Sequence, residues 1–488
     1  MVLNVAELSF SYNSKQVLKN ISWDWNTGQQ WAVLGPNGAG KTTLAKALTQ
    51  QIYPSAGSIN FHTSIEQSSI AYVCFEEQKT LCLKDWQFDD SEFQNTSFDT
   101  GVTVQQAILG SAQITERFIQ LVTQFKLKHI LGRGIRFIST GEIRKTLLLR
   151  ALISDPQLII LDNPFDGLDK TSQEELQIIL RNLMQSEIAF LLLCRQVEDI
   201  TAGITHVLAL DKGIILAQGE KTQTIKKPEI INVMSPALPA LASLPTPGVR
   251  SYQLDETAPL LELRNVSVSY QHIKVLNQIN WTFLKGQHAC ISGPNGCGKT
   301  TLLSLINGNS HKAYGQNIHL FGQLRGSGES IWDIKQKFGI IDMELQLKHV
   351  RGMKSIEIVL SGFFDTIGLY DDWSHKQHNI AQQWLVSLGI GEQMLSFYDD
   401  LSFGLQRMVL LARAMVKSPA ILILDEPCLG LDNYHRRLLL RAVDHIANNS
   451  DTQVLFVSHT SEEIPQCINQ FLEFKGKEAS YYLECTVA

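Results

Sequence analysis

Two stretches of the chain place glycines, a lysine and a threonine in a pattern suited to holding phosphate. Gly35, Pro36, Asn37, Gly38, Ala39, Gly40, Lys41, Thr42 and Thr43 recur as Gly293, Pro294, Asn295, Gly296, Cys297, Gly298, Lys299, Thr300 and Thr301. The glycines let backbone N–H groups close around a polyphosphate, the lysine reaches its outer phosphates, and the first threonine hydroxyl binds Mg2+. A helix beginning at the end of the loop adds a dipole that favours an anion. On average composition, two chance matches in a chain of 488 residues have a probability of about 10⁻⁴.

Asp162 and Asp425 each end a four-residue apolar run, Leu158–Leu161 and Ile421–Leu424. An acid leaving a buried strand beside a phosphate loop is placed to hold Mg2+, directly or through water; the alternative is an aspartate that caps the next helix. The expected metal sets are Thr42 with Asp162 and Thr300 with Asp425. The following residue separates them. Glu426 can take a proton from an attacking water or orient it, whereas Asn163 can only orient it. General-base catalysis contributes 10²–10⁴ in rate, so the first site is expected to lose about 3–5 kcal/mol of transition-state stabilisation. Further on, Ser458-His459 aligns with Cys194-Arg195 after apolar, β-rich segments. His459 can hydrogen-bond a terminal phosphate; Arg195 can only donate charge there. Lys299, Glu426 and His459 are therefore the expected catalytic residues.

These residues need a particular scaffold. The loops follow the apolar runs Trp31–Leu34 and Ala289–Ser292 and precede helix-compatible stretches such as Thr43–Gln51. The period-two pattern of Leu261–Tyr270 predicts a half-buried strand, and the runs before Asp162 and Asp425 predict buried parallel strands. Strand, loop, helix and buried strand together indicate α/β domains. The loops are 258 positions apart and the acidic strands 263 apart. A constant order at a nearly constant offset means a duplicated unit of about 225 residues, too long for a solenoid repeat. Between the copies, Pro228, Pro236, Pro239, Pro245, Pro247 and Pro259 are six of the chain's 14 prolines. Residues 1–227 and 260–488 are thus expected to be domains, joined over 228–259 by an extended linker with neither regular helix nor central strand.

Composition is that of a folded soluble protein: 44% apolar, 18% charged, net charge −6. The mild acidity gives no support to a general nucleic-acid binder. No apolar run approaches a membrane span, and Met1–Glu7 lacks the pattern of a secretion signal. The eight cysteines are scattered without a CxxC pair, which fits reduced thiols in a cytoplasmic protein rather than a zinc or dithiol site. Cys297 reads as ordinary loop packing, the sharper reading being a thiol whose oxidation blocks the loop. Glu76–Asp99 mixes aromatics and acids and reads as a solvated insertion or a docking loop.

With those residues in hand, both halves resemble ATP-binding-cassette ATPase domains over nearly the whole chain outside the linker. In that family a signature loop, usually Leu-Ser-Gly-Gly-Gln, precedes the acidic strand. Its counterparts here are Ile138-Ser139-Thr140-Gly141-Glu142 and Leu401-Ser402-Phe403-Gly404-Leu405. The serine and second glycine are kept, and the last residue departs in both. The resemblance implies two tandem P-loop NTPase domains, each a mainly parallel core sheet with helices, a small antiparallel β subdomain and a helical subdomain. It implies ATP and Mg2+ as cofactors, and head-to-tail pairing of the two domains within the chain. Ser402 and Gly404 would then face the first ATP, and Ser139 and Gly141 the second. Tyr12 and Tyr270 resemble the aromatics that stack on adenine, the alternative being core aromatics. Gly167-Leu168-Asp169 and Gly430-Leu431-Asp432 resemble the loop that couples the sites. The usual metal-lining glutamine is replaced by Phe75 and Met343, with Gln78 and Gln346 three residues further on as substitutes.

The resemblance implies an ATP-hydrolysing subunit of a transport system, with a degenerate first site and a competent second site. Its partner would be a separate membrane permease, and its location cytoplasmic or peripheral at the membrane's inner face. Gly326–Lys335 and Val359–Tyr370 are similar to a bacterial tandem-cassette group associated by name with molybdate transport. The alternative function is a soluble ATP-dependent switch acting on a non-membrane partner. The translation-associated version of that alternative ranks low, because its members carry a charged helical linker and a glutamate in both halves.

Overall fold

The computed structural model describes all residues except 1, 13–14, 63–68, 75–100, 247–251, 253, 256, 271–272, 295, 343–344, 347–350, 459–462, 477–480 and 488, and the backbone alone at 15, 136, 270, 273 and 487. The chain divides into two units, Met1–Pro236 and Ala237–Ala488.

The described residues of unit 1 form the strands β1 (Leu3–Tyr12), β2 (Lys15–Trp25), β3 (Trp31–Leu34), β4 (Ala56–Phe61), β5 (Ile70–Cys74), β6 (Leu158–Asp162), β7 (Ala189–Cys194), β8 (His206–Asp211) and β9 (Ile214–Glu220). A small antiparallel sheet has the order β2-β1-β4. The core sheet has the order β5-β6-β7-β3-β8-β9. Its first five strands are parallel, and only β9 runs antiparallel. Strands β3 and β6 are buried along their whole length. Helices cover both faces of such a sheet, so its strands read as continuous apolar runs rather than alternating ones. The main helices are α1 (Lys41–Leu48), α2 (Val104–Leu109), α3 (Glu116–Gln124), α4 (Thr140–Ile153), α5 (Lys170–Leu183) and α6 (Pro228–Met234). One core joins the sheet to α2–α5, and a second joins its other face to α1 and the antiparallel sheet, where Trp23 stacks on Trp25 and meets Trp31 edge-on.

Unit 2 repeats this plan with β10 (Leu261–Tyr270), β11 (Ile273–Phe283), β12 (Ala289–Ser292), β13 (Asn317–Leu320), β14 (Gln323–Leu324), β15 (Phe338–Ile341), β16 (Ile421–Asp425), β17 (Gln453–Val457), β18 (Gln470–Lys475) and β19 (Tyr482–Val487). Its sheets run β11-β10-β13-β14 and β15-β16-β17-β12-β18-β19. Its main helices are α7 (Lys299–Ile306), α8 (Ser355–Ser361), α9 (His375–Ser387), α10 (Phe403–Met415) and α11 (Asn433–Asn449). Both units are α/β with a mainly parallel core sheet and a separate antiparallel sheet.

The proline-rich stretch departs from the expected helix-free linker. Residues Pro228–Met234 form a helix, because Pro228 sits in the first turn, where its missing N–H has no intrahelical partner to lose. Ile230 and Met234 are buried in the unit 1 core. From Ala237 the chain lies against unit 2. Leu238, Leu241 and Leu244 pack on the core beneath α9 and α11. Ser387 Oγ donates to the Ser243 carbonyl at 2.7 Å, His445 Nε2 lies 2.8 Å from the Ala242 carbonyl, and Arg441 donates to the Pro239 carbonyl at 3.3 Å. Tyr252 donates its hydroxyl to the Ser418 carbonyl at 2.8 Å. Proline withholds donors, but the carbonyls of this stretch remain acceptors for Ser387 and Arg441, and Tyr252 supplies a donor of its own.

Leu241→Asp puts a charge against that half-buried apolar contact. It is expected to cost unit 2 about 1–2 kcal/mol. Hydrogen exchange should quicken across 375–387 and 433–449 and stay unchanged in unit 1.

Candidate functional site

Parallel pairing decides which residues meet. Strand β3 lies between β7 and β8, with Leu34 opposite Cys194 and Ala209. Strand β7 pairs β6, with Leu193 opposite Asp162. The loop after β3, the acid ending β6 and the residue after β7 therefore share the carboxyl edge of the sheet, where open α/β sheets bind ligands.

In unit 1 the glycine loop closes on its own lysine. Lys41 is buried, and its Nζ donates to the carbonyls of Gly35 at 2.7 Å and Pro36 at 2.9 Å. Gly40 has φ 101° at the entrance to α1, and a Cβ there would meet Leu18 Cδ2 at 2.7 Å. A Cβ on Gly35 would come within 2.3 Å of the Leu210 carbonyl oxygen. Side chains are excluded at both positions, which keeps the loop's backbone close and uncovered. Thr42 Oγ1 donates to Asp162 Oδ2 at 2.8 Å, and the Tyr72 hydroxyl donates to the same oxygen at 3.0 Å. Asn163 Nδ2 donates to Asp162 Oδ1 at 2.5 Å, while its own Oδ1 is buried with no partner. Burial first, and then the Asp162 charge, pushes the Tyr72 phenol well above its ordinary pKa, so it remains a donor. Arg195, at the end of β7, forms an ion pair with Asp166, whose carbonyl also accepts from Arg144 Nη2 at 2.6 Å. Burial pushes the nearby Asp199 carboxyl up to about 6, opposed by the Gln196 amide that donates to it.

Unit 2 builds the same loop. Lys299 Nζ donates to the carbonyls of Gly293 at 2.8 Å and Pro294 at 2.9 Å, and lies 4.0 Å from Cys297 Sγ. Cys297 is fully buried, and burial pushes its thiol up against the opposing pull of Lys299, so its environment is one of packing rather than thiolate reactivity. Glu426 and Asn163 share one backbone geometry. Their φ values are 47° and 48°, and their N–H groups donate to Val457 (3.2 Å) and Leu193 (3.0 Å), which are equivalent positions. A non-glycine residue held at positive φ is strained, and strain of this kind concentrates at functional positions. Asn tolerates it better than Glu.

The two serine-glycine loops cap helices. Ser139 begins α4 and exchanges bonds with Glu142, whose carboxylate accepts from the Ser139 N–H and Oγ, both at 2.8 Å. That capping box gives Glu142 a structural reason that Leu405 lacks. Ser402 begins α10 and accepts from the Leu405 N–H at 3.3 Å. Gly141 packs on Ser172, and a Cβ on Gly404 would stand 2.2 Å from the His435 ring. Gln346 is buried and its amide donates to the Phe403 carbonyl at 3.3 Å and to Gln406 Oε1 at 3.2 Å, at the start of α10. Tyr12 is 67% exposed at the end of β1, which rejects the core reading. Asn295, His459, Phe75, Gln78, Met343 and the 76–99 insertion lie outside the described residues, as does the Tyr270 side chain. Sequence reasoning missed Tyr72 and Asp166. Tyr72 sits inside an apolar strand, and only the β5–β6 pairing turns it toward Asp162.

The ABC transporter family profile matches residues 18–166 and 276–429. ABC transporter ATP-binding protein ModF of Escherichia coli (strain K12) is 36% identical over 97% of this chain and 96% of its own length. An uncharacterized ABC transporter ATP-binding protein of Schizosaccharomyces pombe is 28% identical over 93% of this chain and 94% of its own. Among solved structures, a chain of a model of ribosome-bound archaeal Pelota and ABCE1 superposes with TM-score 0.62 at 19% identity, over 99% of this chain and 78% of that one. At that identity the likeness is one of fold.

Tyr72→Phe removes one bond to a carboxylate and is expected to cost unit 1 about 1–3 kcal/mol, read by urea denaturation. Asp199 binds its proton more tightly folded than unfolded. The stability this lends is present below about pH 4 and is lost as pH rises through about 6. Asp199→Asn is therefore expected to stabilise the protein at pH 7.5 by up to about 2 kcal/mol, an advantage that vanishes near pH 4 in thermal melts.

Proposed function

The chain belongs to the ABC transporter family of ATP-binding, ATP-hydrolysing proteins, and from that premise we propose an asymmetric ATPase that drives transport through a separate membrane permease. Unit 2 carries the turnover and unit 1 holds nucleotide with little hydrolysis. The observation that carries this reading is the matched backbone at Asn163 and Glu426: φ and hydrogen bonding coincide, so the change at this position is purely carboxylate for amide.

The residues present fit ATP with Mg2+. Each loop has a backbone cradle that a Cβ would fill and a lysine already anchored across it. Lys41 and Lys299 orient and neutralise terminal phosphates. Thr42 with Asp162, and Thr300 with Asp425, would hold Mg2+, which when bound offsets charge on the phosphates. Tyr12 offers an exposed ring for adenine, and we assign Tyr270 the same role. Glu426 takes the proton of the attacking water, and His459 steadies the terminal phosphate. Ser139, Gly141, Ser402 and Gly404 complete the sites at the starts of their helices, where N–H groups face an anion.

The cargo we assign is molybdate or a related oxyanion, on the likeness of 326–335 and 359–370 to that group. No helix among the described residues is long and apolar enough to cross a membrane, so the span is assigned to another polypeptide. Native fractionation tests this. Recovery with membranes and one co-purifying multi-span protein supports transport; recovery wholly in the soluble fraction with ATPase activity intact replaces it with a soluble switch.

Glu426→Gln is expected to lower kcat at saturating Mg-ATP by about 10²–10⁴-fold, while Asn163→Gln changes it by less than about threefold. Equal losses at the two positions would overturn the asymmetry.

A further inference from the structure

Four positions at the sheet edge differ between the units, and in unit 1 two of them, Asp166 and Arg195, pair with each other, while Tyr72 and Asn163 both donate to Asp162. Strand register pairs Tyr72 with Ile340 and Arg195 with His459, and the loops after β6 and β16 pair Asn163 with Glu426 and Asp166 with Leu429. In unit 1, Arg195 forms an ion pair with Asp166, the side chains being 14% and 31% exposed. Asp166 is tied by its main chain as well: its carbonyl accepts from Arg144 at 2.6 Å, and its N–H donates to the Asn163 carbonyl at 3.4 Å. In unit 2 the position aligned with Asp166 is the uncharged Leu429, and Arg407, the counterpart of Arg144, donates to the Asp342 carbonyl at 3.4 Å.

We propose that Asp166 is a positioning residue that holds the Arg195 guanidinium on the chain's own loop, so that the silence of the first site rests on this ion pair as well as on the missing carboxylate. The proposal rests on the reading of unit 1 as a nucleotide site. Two physical consequences support it. A guanidinium neutralised by Asp166 contributes no net positive charge to a terminal phosphate, and the pair is only partly exposed, so solvent screens it weakly. The guanidinium N–H groups engaged by Asp166 are also withheld from a terminal phosphate, and a glutamate placed at 163 does not release them. Supplying the carboxylate alone therefore does not restore hydrolysis; the pair must be removed with it.

The test uses the full chain with Glu426→Gln, so that any gain comes from the first site. Asn163→Glu added to that background is expected to stay within about threefold of it, whereas Asn163→Glu with Asp166→Leu and Arg195→His raises kcat by about 10²-fold, with KM for Mg-ATP moving less than about threefold. Replacing Arg195→His by Arg195→Lys, with Asp166 kept, preserves the pair and the low rate. Should Asp166→Leu not fold, Asp166→Asn removes the charge and keeps the shape. Asn163→Glu alone matching the combined variant would overturn the proposal, as would a silent combined variant that still binds two ATP per chain. Equilibrium binding of radiolabelled ATP separates this from failure of the underlying reading: if Lys41→Ala leaves the stoichiometry unchanged, unit 1 is not a nucleotide site.

Discussion

The parallel pairing of β6 with β7 and of β7 with β3 governs everything at the carboxyl edge of unit 1, as β16, β17 and β12 do in unit 2. Residues more than a hundred positions apart meet there because strands a few ångströms apart end at the same level. A one-residue slip in β6 would turn Asp162 to the other face and leave Thr42 without its acceptor. The lysines depend on the same frame. Lys41 and Lys299 are buried cations held by carbonyls of their own loops, and those carbonyls are in place only while the glycines keep their positive φ. Burial of such a cation costs free energy unless it is bonded, so the bonds that shape the loop also keep the charge in it.

One fold thus carries two sets of side chains at its sheet edge. The backbone at Asn163 and Glu426 is conserved between the units down to a left-handed conformation, while the side chains around it change together. In unit 1 the carboxylate of Asp162 receives Thr42, Tyr72 and Asn163, and Arg195 is matched by Asp166. The bonds within this network favour a fixed arrangement over a reactive one, although they leave Asn163 Oδ1 without a partner. Cys297 and Gln346 illustrate the other side of this logic. Both sit where chemistry is conceivable, and both are buried in packing or helix-start bonds.

The connector shows how far a local rule reaches. Six prolines argue against regular structure, and yet the first of them opens a helix and the following leucines pack on unit 2. Proline removes a donor; it does not prevent an acceptor or an apolar ring from finding a partner. The strap is held by donors from Ser387 and Arg441 and by its own Tyr252 donating to the Ser418 carbonyl, all contacts with residues far along the sequence, so nothing local could have announced it.

By itself, the sequence determined the duplicated α/β plan, the two phosphate loops, the acids that end the buried strands and the asymmetry at Asn163 and Glu426. Those features are written in short spacings, in residue types that chemistry restricts, and in an order repeated at a constant offset. Tertiary structure alone decided that Tyr72 reaches Asp162, that Arg195 is matched by Asp166, that Gln346 turns to the start of α10 and that the proline-rich segment packs with unit 1 up to Met234 and with unit 2 from Ala237 on. Each of these is a contact between distant segments. It depends on which strands pair, in what register and with which face inward, and that is settled by burying apolar surface across the whole unit rather than by any neighbouring residue.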